Sequence, residues 1–491
     1  MKSVALHNLG CKVNSYEIEV MQQMLQEKGY TIVPFDETAD IYIVNTCTVT
    51  NIADRKSRQM LHRAKQKNPA ALVVAVGCYV QTGREDVEQD PCIDLAIGNN
   101  RKKDLASILE EYLQDLEQED AVAENAENAG HGVDKTLHDT TVIDINHTAE
   151  YEEMTLKQTA EHTRAYIKIQ DGCNQFCSYC VIPYARGRVR SRRAEDIIRE
   201  ITGMAQNGYR EIVLTGIHIS SYGIDFDEEA WKRGESVSVL KEDEERRDYS
   251  GSSKLIDLLE RIHTIEGIER IRIGSLEPRI ITEETAARMA APPQPALRKL
   301  CPHFHLSLQS GCDATLRRMN RKYTSEEYAE SVALLRKVFD HPAITTDVIV
   351  GFPGETEEEF AQTKEFLDRI QFFEMHIFKY SKRAGTRAAV MSHQVPDPVK
   401  TTRSAELLAM EKEQSKQFRT HYVGREAEVL LEETKEIGGT EYLLGHTRDY
   451  VKLAVSVKEN KKNVANTVIC GRVQGFLTDE ILLLSPLEFS K

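Results

Sequence analysis

Short apolar runs alternate with helical patterns over the first 108 residues or so. Three of these runs have the length of buried strands, and they lie at 5–9, 39–45 and 71–77. Each is followed by a helical pattern, and the first of these, 14–29, opens on Asn14, a residue suited to cap a helix. Strands and helices in alternation predict an open parallel sheet with helices on its faces.

A second, longer alternating series begins near residue 156. Six apolar runs predict strands at 165–171, 211–217, 268–278, 303–311, 344–354 and 374–381. Helical patterns intervene at 192–208, 252–267, 325–339 and 356–370. Because a closed barrel of this type has eight units, six units predict a partial (β/α)6 barrel. A charged stretch from Asp225 to Gly251 interrupts the series and is interpreted as a surface insertion.

The pattern changes again after about residue 400. A helical connector at 401–424 leads into short apolar runs separated by turn residues, which predict a small all-β barrel. The chain is therefore α/β overall. It divides into an N-terminal parallel α/β domain at 1–110, an acidic linker or insertion at 111–155, the partial barrel at 156–395 and the all-β domain at 420–488.

Composition restricts the compartment and the partners. No window approaches the roughly 20 apolar residues of a membrane span, and the start of the chain is too polar for a secretory signal. A cytoplasmic protein without a membrane or DNA partner is expected. In that reducing compartment the ten cysteines are metal ligands or catalytic groups more often than disulfide partners. The net charge of −15 is unevenly distributed, so nucleic-acid binding depends on local basic patches.

Three cysteines follow three different predicted strands. Cys11, Cys47 and Cys78 each lie at or just beyond the C-terminal end of a strand in the first series. The C-terminal ends of parallel strands share one edge of the sheet, where ligands bind. Three thiols far apart in sequence can therefore meet in space, although each taken singly could be a buried packing residue.

A second set of three cysteines lies within one short turn. Cys173, Cys177 and Cys180 follow the first strand of the partial barrel at a C-x3-C-x2-C spacing. A structural zinc site normally has four Cys or His ligands, and a simple electron-transfer [4Fe-4S] cluster has four cysteines. A [4Fe-4S] cluster held by only three thiolates keeps one iron available for another molecule. The alternatives are a zinc knuckle and three inert thiols.

This motif and its context resemble the radical S-adenosylmethionine (SAM) superfamily. In that superfamily the open iron binds SAM, and an electron from the cluster cleaves SAM to a 5'-deoxyadenosyl radical. The sequences around the other three cysteines, GCKVN, NTCTVT and AVGCYVQ, resemble the N-terminal domain of the methylthiotransferases, where such cysteines hold an auxiliary cluster. The all-β domain resembles the TRAM RNA-binding domain. The resemblance implies two [4Fe-4S] clusters, SAM as cofactor, and all six cysteines as cluster ligands.

The resemblance also assigns SAM contacts within the barrel. Thr215 and Gly216 would meet the amino group of SAM, and Ser275 and Glu277 would lie near its ribose or methionyl part. The adenine would lie near Val350, Gly351, Phe352 and Pro353. No catalytic side chain is assigned. The other four cysteines are interpreted as packing residues, and they are Cys92, Cys301, Cys312 and Cys470.

The implied reaction replaces an unactivated C–H bond by C–S–CH3. One cluster would generate the radical while the other carries sulfur, and an electron donor such as flavodoxin or ferredoxin would be needed. The motifs are most similar to the branch that modifies C2 of N6-threonylcarbamoyladenosine beside the tRNA anticodon. The alternatives are isopentenyladenosine in tRNA, an aspartate of a ribosomal protein, and a non-enzymatic RNA-binding protein with two zinc sites.

A tRNA anticodon stem-loop requires positive surface near the active site. A run of arginines follows the second cysteine set and comprises Arg186, Arg188, Arg190, Arg192 and Arg193. A second run, on the helix beside Cys47, comprises Arg55, Lys56, Arg58 and Arg63. Phosphate neutralisation is the expected role of both runs. The alternative for the first run is a structural charge cluster paired with Glu195 and Asp196 at the start of a helix.

Overall fold

The computed structural model describes residues 2–127, 139–158, 163–226, 254–290, 299–457 and 465–487. The predicted insertion therefore lies outside the described residues, apart from its first two residues, Asp225 and Phe226. Within the described ranges no helix combines the length and the apolar character that a bilayer crossing requires.

The first domain is built on a six-stranded parallel sheet with the strand order β2-β1-β3-β4-β5-β6. Its strands are β1 (Ser3–Asn8), β2 (Thr31–Val33), β3 (Ile41–Thr46), β4 (Leu72–Gly77), β5 (Leu95–Ile97) and β6 (Asp139–Thr141). Its helices are α1 (Lys12–Glu27), α2 (Asn51–Lys67), α3 (Cys78–Thr82), α4 (Arg84–Glu88) and α5 (Leu105–Glu127). Every residue of β3 and β4 is buried, as expected for central parallel strands with both faces covered.

The stretch expected as an acidic linker contributes regular structure to this domain. It contains the greater part of α5 as well as β6, which pairs with β5 in parallel. Further along, Met154 and Leu156 are buried in the same apolar core as α1. The carbonyl of Met154 also accepts a hydrogen bond of 2.5 Å from the hydroxyl of Tyr16 on α1.

Helix α1 begins two residues before the predicted cap. Cys11 is the N-cap residue, and its side chain makes no capping hydrogen bond. Asn14 lies inside the helix and donates instead to the carbonyls of Leu9 at 2.7 Å and Thr46 at 3.0 Å. The Asn14 amide therefore joins the loops after β1 and β3, and this tertiary role replaces the predicted capping role.

The second domain is the predicted partial barrel. Its strands are β7 (Arg164–Asp171), β8 (Arg190–Ser191), β9 (Glu211–Gly216), β10 (Arg270–Ile273), β11 (His303–His305), β12 (Ala343–Val350) and β13 (Glu374–Lys379). Its helices are α6 (Ile182–Arg186), α7 (Ala194–Gln206), α8 (Lys254–His263), α9 (Glu283–Ala290), α10 (Asp313–Arg318), α11 (Ser325–Val338) and α12 (Glu357–Ile370).

Six of these strands form a parallel arc in chain order. Strands β7, β9 and β10 pair in parallel, as do β11, β12 and β13. The two groups are joined by the parallel bridges Ile271↔Leu300 and Leu276↔Leu306. Strand β8 pairs with β7 in the antiparallel direction. The partial six-stranded barrel predicted from the apolar runs is confirmed.

Side chains alternate across each strand of this arc. One face, for example Ile167, Ile212 and Val348, packs into the apolar core that it shares with the surrounding helices. We call the space on the opposite, concave side the lumen. The charged and imidazole side chains on the lumen face are those of Arg164, Lys168, Glu211, Arg270, Arg272, His303, His305, Asp347, Glu374 and His376. The barrel interior is therefore polar.

The C-terminal domain follows a long connecting helix, α13 (Asp397–Thr420). Its five strands are β14 (Glu426–Ile437), β15 (Thr440–His446), β16 (Lys452–Ser456), β17 (Thr467–Phe476) and β18 (Leu482–Pro486). They close into a barrel in the order β14-β15-β16-β18-β17. This arrangement confirms the predicted all-β barrel.

The C-terminal barrel covers one end of the lumen. Arg270 donates to the carbonyl of His446 at 2.9 Å, and Arg272 donates to the carbonyl of Arg448 at 3.0 Å. The ring of Tyr450 stacks on His446 and lies 4.9 Å from the ring of His303. Because Arg270 begins β10 and His303 begins β11, the covered end is the one at which the parallel strands start.

Arg192 anchors helix α7 from inside the protein. Its guanidinium is buried and is hydrogen-bonded to the carboxylates of Glu200 and Glu153. Glu200 in turn accepts a hydrogen bond from the backbone N–H of Leu156 at 2.8 Å. Arg192 therefore holds together three segments of the chain, and its neighbour Arg193 is exposed.

Replacing Arg192 should destabilise the protein strongly. We expect Arg192→Ala to lower the free energy of unfolding by about 3–5 kcal/mol, because Glu200 would remain buried without its cation. The exposed neighbour supplies the control, and Arg193→Ala should change stability by less than about 0.5 kcal/mol. Urea unfolding of the anaerobically purified proteins measures both effects. Equal unfolding midpoints for the two variants would contradict this role of Arg192.

Candidate active site

The barrel cysteines occupy the loop that follows β7. Gly172 has a φ of +71°, and a Cβ atom at this position would lie 1.8 Å from the carbonyl oxygen of Arg188. Only glycine permits this close approach of two backbones. The N–H of Cys173 then donates to the carbonyl of Gly187 at 3.0 Å, and the N–H of Cys180 donates to that of Cys177 at 2.9 Å.

The three thiols of this loop lie close enough to affect one another electrostatically. Burial raises the pKa of Cys173, and the neighbouring Cys177 and Cys180 raise it further. Burial and the charge of Cys177 raise the pKa of Cys180 to about 12. Three thiolates gathered in one half-buried loop require a compensating positive charge. An iron-sulfur cluster supplies that charge, so the donor set fits a cluster held by three cysteines.

Arg321 belongs to this site, although no pattern in the sequence identified it. Its guanidinium donates to the sulfur of Cys177 at 3.2 Å and to the hydroxyl of Tyr323 at 2.9 Å. The positive charge of Arg321 also contributes to lowering the pKa of Glu277. The residue follows α10 and is separated from Cys177 by 144 positions, so only the tertiary fold connects the two.

Glu277, a predicted SAM contact, lies beside the cysteine loop. Gln175, which lies between Cys173 and Cys177, donates to its carboxylate at 3.4 Å, and His218 lies 3.3 Å from the same oxygen. Burial opposes ionisation of Glu277, but the hydrogen bond and charge of His218 outweigh it and lower the pKa to about 2. Glu277 is therefore a buried carboxylate that stays ionised at neutral pH.

The other predicted SAM contacts lie at the same edge of the barrel. Thr215 and Gly216 end β9, and Ser275 is exposed just beyond β10. Val350 ends β12 and leads into the buried turn 351–353.

This turn reaches the cysteine loop. The ring of Phe352 makes an edge contact with Tyr179, with the ring centroids 6.3 Å apart. Tyr179 lies between Cys177 and Cys180 in the sequence. The fold therefore gathers the predicted residues around the C-terminal ends of three parallel strands.

The N-terminal cysteines meet at one edge of the first sheet. Cys11, Cys47 and Cys78 follow the adjacent strands β1, β3 and β4. Burial raises the pKa of Cys47 to about 11, and the charges of Cys78 and Cys11 contribute. Gly10 has a φ of +107°, and a Cβ atom there would lie 2.9 Å from the sulfur of Cys47.

Arg186 connects this set to the barrel. Its Nε donates to the sulfur of Cys78 at 3.3 Å, and Nη2 donates to Asn14 at 2.6 Å. Nη1 donates to Glu17 of the first domain at 2.8 Å and to Asp171 of the barrel at 3.1 Å. Helix α6, which carries Arg186, packs against α3, which begins at Cys78. Arg186 therefore links the edge that carries the N-terminal cysteines to the end of β7, where the loop of the barrel cysteines begins.

The expected phosphate-binding role is wrong for three of the five arginines that follow Cys180. Arg186, Arg190 and Arg192 are buried, and acidic or carbonyl groups surround them. The structural alternative with Glu195 and Asp196 is also wrong, because these two carboxylates pair with Arg261 and Arg199. The exposed members of the run are Arg188 and Arg193. All four cations predicted on α2 are exposed as well, and they are Arg55, Lys56, Arg58 and Arg63.

The remaining four cysteines belong to neither set. Cys301 and Cys312 are buried, and Cys92 and Cys470 are half-buried.

The partial barrel with its three-cysteine loop belongs to a known class of protein. Residues 167–367 match the radical SAM superfamily, and residues 3–98 match a family described as uncharacterized protein family UPF0004. The class is therefore that of the radical SAM enzymes, which use SAM and a [4Fe-4S] cluster.

Similar proteins narrow this class. The chain is 37% identical to threonylcarbamoyladenosine tRNA methylthiotransferase MtaB of Bacillus subtilis, over 94% of this chain and 92% of the relative. It is 33% identical to tRNA-2-methylthio-N(6)-dimethylallyladenosine synthase of Opitutus terrae, over 91% of this chain and 90% of the relative. The chain belongs to the radical SAM tRNA methylthiotransferase family and is a transferase, so the non-enzymatic zinc protein is rejected.

A solved structure supports the fold alone. The radical SAM methyltransferase TsrM of Kitasatospora setae, with its tryptophan substrate and a SAM analogue bound, superposes with a TM-score of 0.53 at 14% sequence identity. The superposition covers 79% of this chain and 75% of that chain.

Adding a methyl group at Gly172 should disrupt the cysteine loop. We expect Gly172→Ala to lose most of the iron bound by the barrel, because the new Cβ would collide with the backbone of Arg188. Iron content and visible absorption after anaerobic purification measure the effect.

The matched control is Gly208→Ala. Gly208 also has a positive φ, of +89°, but a Cβ atom added there would have no neighbouring atom within 4 Å. This variant should carry only the strain of a left-handed residue, about 1–2 kcal/mol, and keep its iron. Equal iron in the two variants would contradict the proposed role of Gly172.

Proposed function

We propose that this protein transfers a methylthio group to C2 of N6-threonylcarbamoyladenosine beside the tRNA anticodon. It would use SAM and two [4Fe-4S] clusters. The observation that supports this proposal is that Arg186 bonds both to the sulfur of Cys78 in one three-thiol set and to Asp171, two residues before Cys173 of the other set.

The proposed ligands of the radical SAM cluster are Cys173, Cys177 and Cys180. Those of the auxiliary cluster are Cys11, Cys47 and Cys78. Each set has three sulfur ligands, so each cluster would keep one iron available for another molecule. The positive side chains that reach the sulfurs support this assignment, since Arg321 donates to Cys177 and Arg186 donates to Cys78.

The proposed SAM site lies above the lumen, at the edge that carries the barrel cysteines. Glu277 is ionised there and is connected to the cysteine loop through Gln175, so it can accept hydrogen bonds from a polar ligand. Thr215 and Gly216 would meet the amino group of SAM, and Ser275 would lie beside Glu277. The turn formed by Val350, Gly351, Phe352 and Pro353 would hold the adenine against Tyr179.

Radical chemistry is required because C2 of the adenine has no proton that an acid-base pair could remove at neutral pH. When bound, the barrel cluster and SAM supply the electron and the radical that activate this C–H bond. The protein positions the reactants and excludes water. The C-terminal barrel assists by covering one end of the lumen through Arg270 and Arg272.

The polarity of the lumen supports the threonylcarbamoyl group as the adenine substituent. This group carries a carboxylate, a hydroxyl and a urea. The substituent of the alternative substrate, the dimethylallyl (isopentenyl) group, is wholly apolar. The lumen presents cationic and imidazole side chains, including Arg272, His305 and His376. An apolar substituent would displace water from these groups and could not replace the hydrogen bonds that the water made.

The remaining parts of the proposal concern partners. The exposed cations of α2, together with Arg188 and Arg193, would contact phosphates of the anticodon stem-loop. An electron donor such as flavodoxin or ferredoxin would reduce the clusters, and the reaction would take place in the cytoplasm.

Removing the N-terminal thiols should separate SAM cleavage from formation of the methylthio product. We expect the variant with Cys11, Cys47 and Cys78 all replaced by alanine to bind about four iron atoms instead of about eight. It should still cleave SAM, but it should not form the methylthio product. Iron analysis and chromatography of 5'-deoxyadenosine and of the product test this.

Cys92→Ala is the control, because this half-buried thiol belongs to neither set. It should keep both the iron and the product. Full iron in the triple variant would refute the second cluster.

The substrate is tested in a strain from which the gene has been deleted. Mass spectrometry of its tRNA nucleosides should show that the methylthio group is lost from threonylcarbamoyladenosine and retained on isopentenyladenosine. Restoring the gene should restore the product, and the variant with Cys173, Cys177 and Cys180 replaced by alanine should not. Loss of the methylthio group from isopentenyladenosine alone would refute the proposed substrate.

A further inference from the structure

Three polar side chains meet on adjacent strands of the lumen. They are His305 on β11, Asp347 on β12 and His376 on β13, and one ligand atom of each lies within 4.8 Å of the others. Asp347 and His376 are register partners in the parallel pair β12–β13. The rings of His305 and His376 are stacked with their centroids 5.7 Å apart. We call these three residues the lumen triad.

The lumen triad lies below the proposed SAM site. Asp347 precedes Val350 by three residues on the same strand, a separation of about 10 Å at the rise of a β-strand. A group bound at the triad would therefore lie deeper in the lumen than the reacting atoms. A substituent that extends from the modified base could span this separation and reach the triad.

Asp347 orients His305, and His376 remains available to contact a ligand. Oδ2 of Asp347 lies 3.3 Å from Nε2 of His305, and Nδ1 of His305 lies 3.0 Å from the hydroxyl of Thr345. The His305 ring is thus held on both sides. His376 is exposed to the lumen, and its side chain makes no hydrogen bond with any described residue. Its ring nitrogens can contact a ligand.

Lys12 brings a positive charge to the same region from the first domain. The residue begins α1, which packs against β7 and β9. Burial is the main cause that lowers the pKa of His303 and of His376, and the positive charge of Lys12 contributes to both shifts, which indicates that its ammonium group is on the lumen side of α1. Among the described residues no carboxylate forms an ion pair with Lys12, although many other cations of the lumen are paired.

We propose that Lys12 and His376, supported by the lumen triad, bind the carboxylate of an amino-acid substituent on the adenine. The ammonium of Lys12 and an imidazole N–H of His376 would donate to the carboxylate. The Oδ1 atom of Asp347 would accept a hydrogen bond from the hydroxyl of a threonyl group. This inference rests on the proposed function and identifies the residues that would distinguish a carboxylate-bearing base from an apolar one.

A divalent cation is the competing occupant of the lumen triad. Two histidines and one aspartate are a common ligand set for transition metals. The positive charge of Lys12 disfavours this occupant, because an ammonium group near the imidazoles would repel a dication. The same charge attracts a carboxylate, so the organic anion is the better match.

The test compares two synthetic anticodon stem-loops. One carries N6-threonylcarbamoyladenosine, and the other carries the same nucleoside with the threonine carboxylate converted to an amide. We expect the wild-type enzyme to prefer the acid by about 10- to 100-fold in kcat/KM, because a charge-assisted hydrogen bond is lost in the amide. Lys12→Met and His376→Gln should each reduce this preference to within about threefold.

Two control variants keep the comparison specific. Lys379→Met changes a lysine on β13 that is bonded to Thr401, and His147→Gln changes an exposed histidine of the first domain. Both should keep the wild-type preference for the acid. Iron content is measured for every variant, since Lys12 adjoins Cys11. His376→Gln is decisive if Lys12→Met loses iron, because His376 lies in the other domain.

The outcomes separate this inference from the proposed function. Equal kcat/KM for acid and amide in the active wild-type enzyme would overturn the carboxylate site alone. A preference for the acid that persists in His376→Gln would also overturn it. Stoichiometric non-iron metal in the wild-type enzyme that is absent from His376→Gln would replace it with a metal site. Activity on a dimethylallyladenosine stem-loop with none on the acid would overturn both.

Discussion

The carboxylate of Glu17 bonds to three cations in the interior of the protein, and Asp171 pairs with two of them. Lys102, Lys168 and Arg186 all bond to it, and all four side chains are buried. Burial opposes its ionisation, but the three cations outweigh this effect and hold its pKa well below the usual range. Because Glu17 lies on α1 and two of its partners lie in the barrel, this charge cluster joins the first domain to the second. Isolated charges in that interior would be unstable, so the two domains stabilise each other.

The cluster also determines where the first cysteine set lies. Arg186 bonds to Glu17 and to the sulfur of Cys78 through the same guanidinium. Because the guanidinium is planar and rigid, it fixes the position of Cys78 relative to the interface between the two domains. Helix α1 is then held against β7, and Cys11 is the N-cap residue of this helix. The chemistry proposed for the two cysteine sets depends on this docking, since neither domain alone assembles the complete site.

The polar lumen requires the third domain as well. Arg270 and Arg272 donate to backbone carbonyls of the C-terminal barrel and also contact Glu211 inside the lumen. Without that barrel these arginines would lose the hydrogen bonds that they donate to its carbonyls. The C-terminal barrel therefore closes one end of the lumen, which is the candidate active-site chamber.

Much of the architecture could be predicted from the sequence because its causes are local. Apolar runs of strand length predicted the six-stranded arc, and the position of Cys11, Cys47 and Cys78 after such runs predicted that they share an edge. The spacing of Cys173, Cys177 and Cys180 identified the class of enzyme, and the similarity to known relatives confirmed it. These features depend on periodicity and short-range spacing, which a linear chain displays directly.

The tertiary structure alone decided which charges are buried. The sequence presents Arg186, Arg188, Arg190, Arg192 and Arg193 as one basic run, yet three of them are internal and two are exposed. Arg186 is separated from Glu17 by 169 positions, and Arg321 from Cys177 by 144. A charged side chain is buried where distant partners can neutralise it, and the identity of those partners is established only when the domains pack together. The sequence by itself therefore determined the strands and the cysteine motifs, and the fold determined which polar groups form the interior and the chamber.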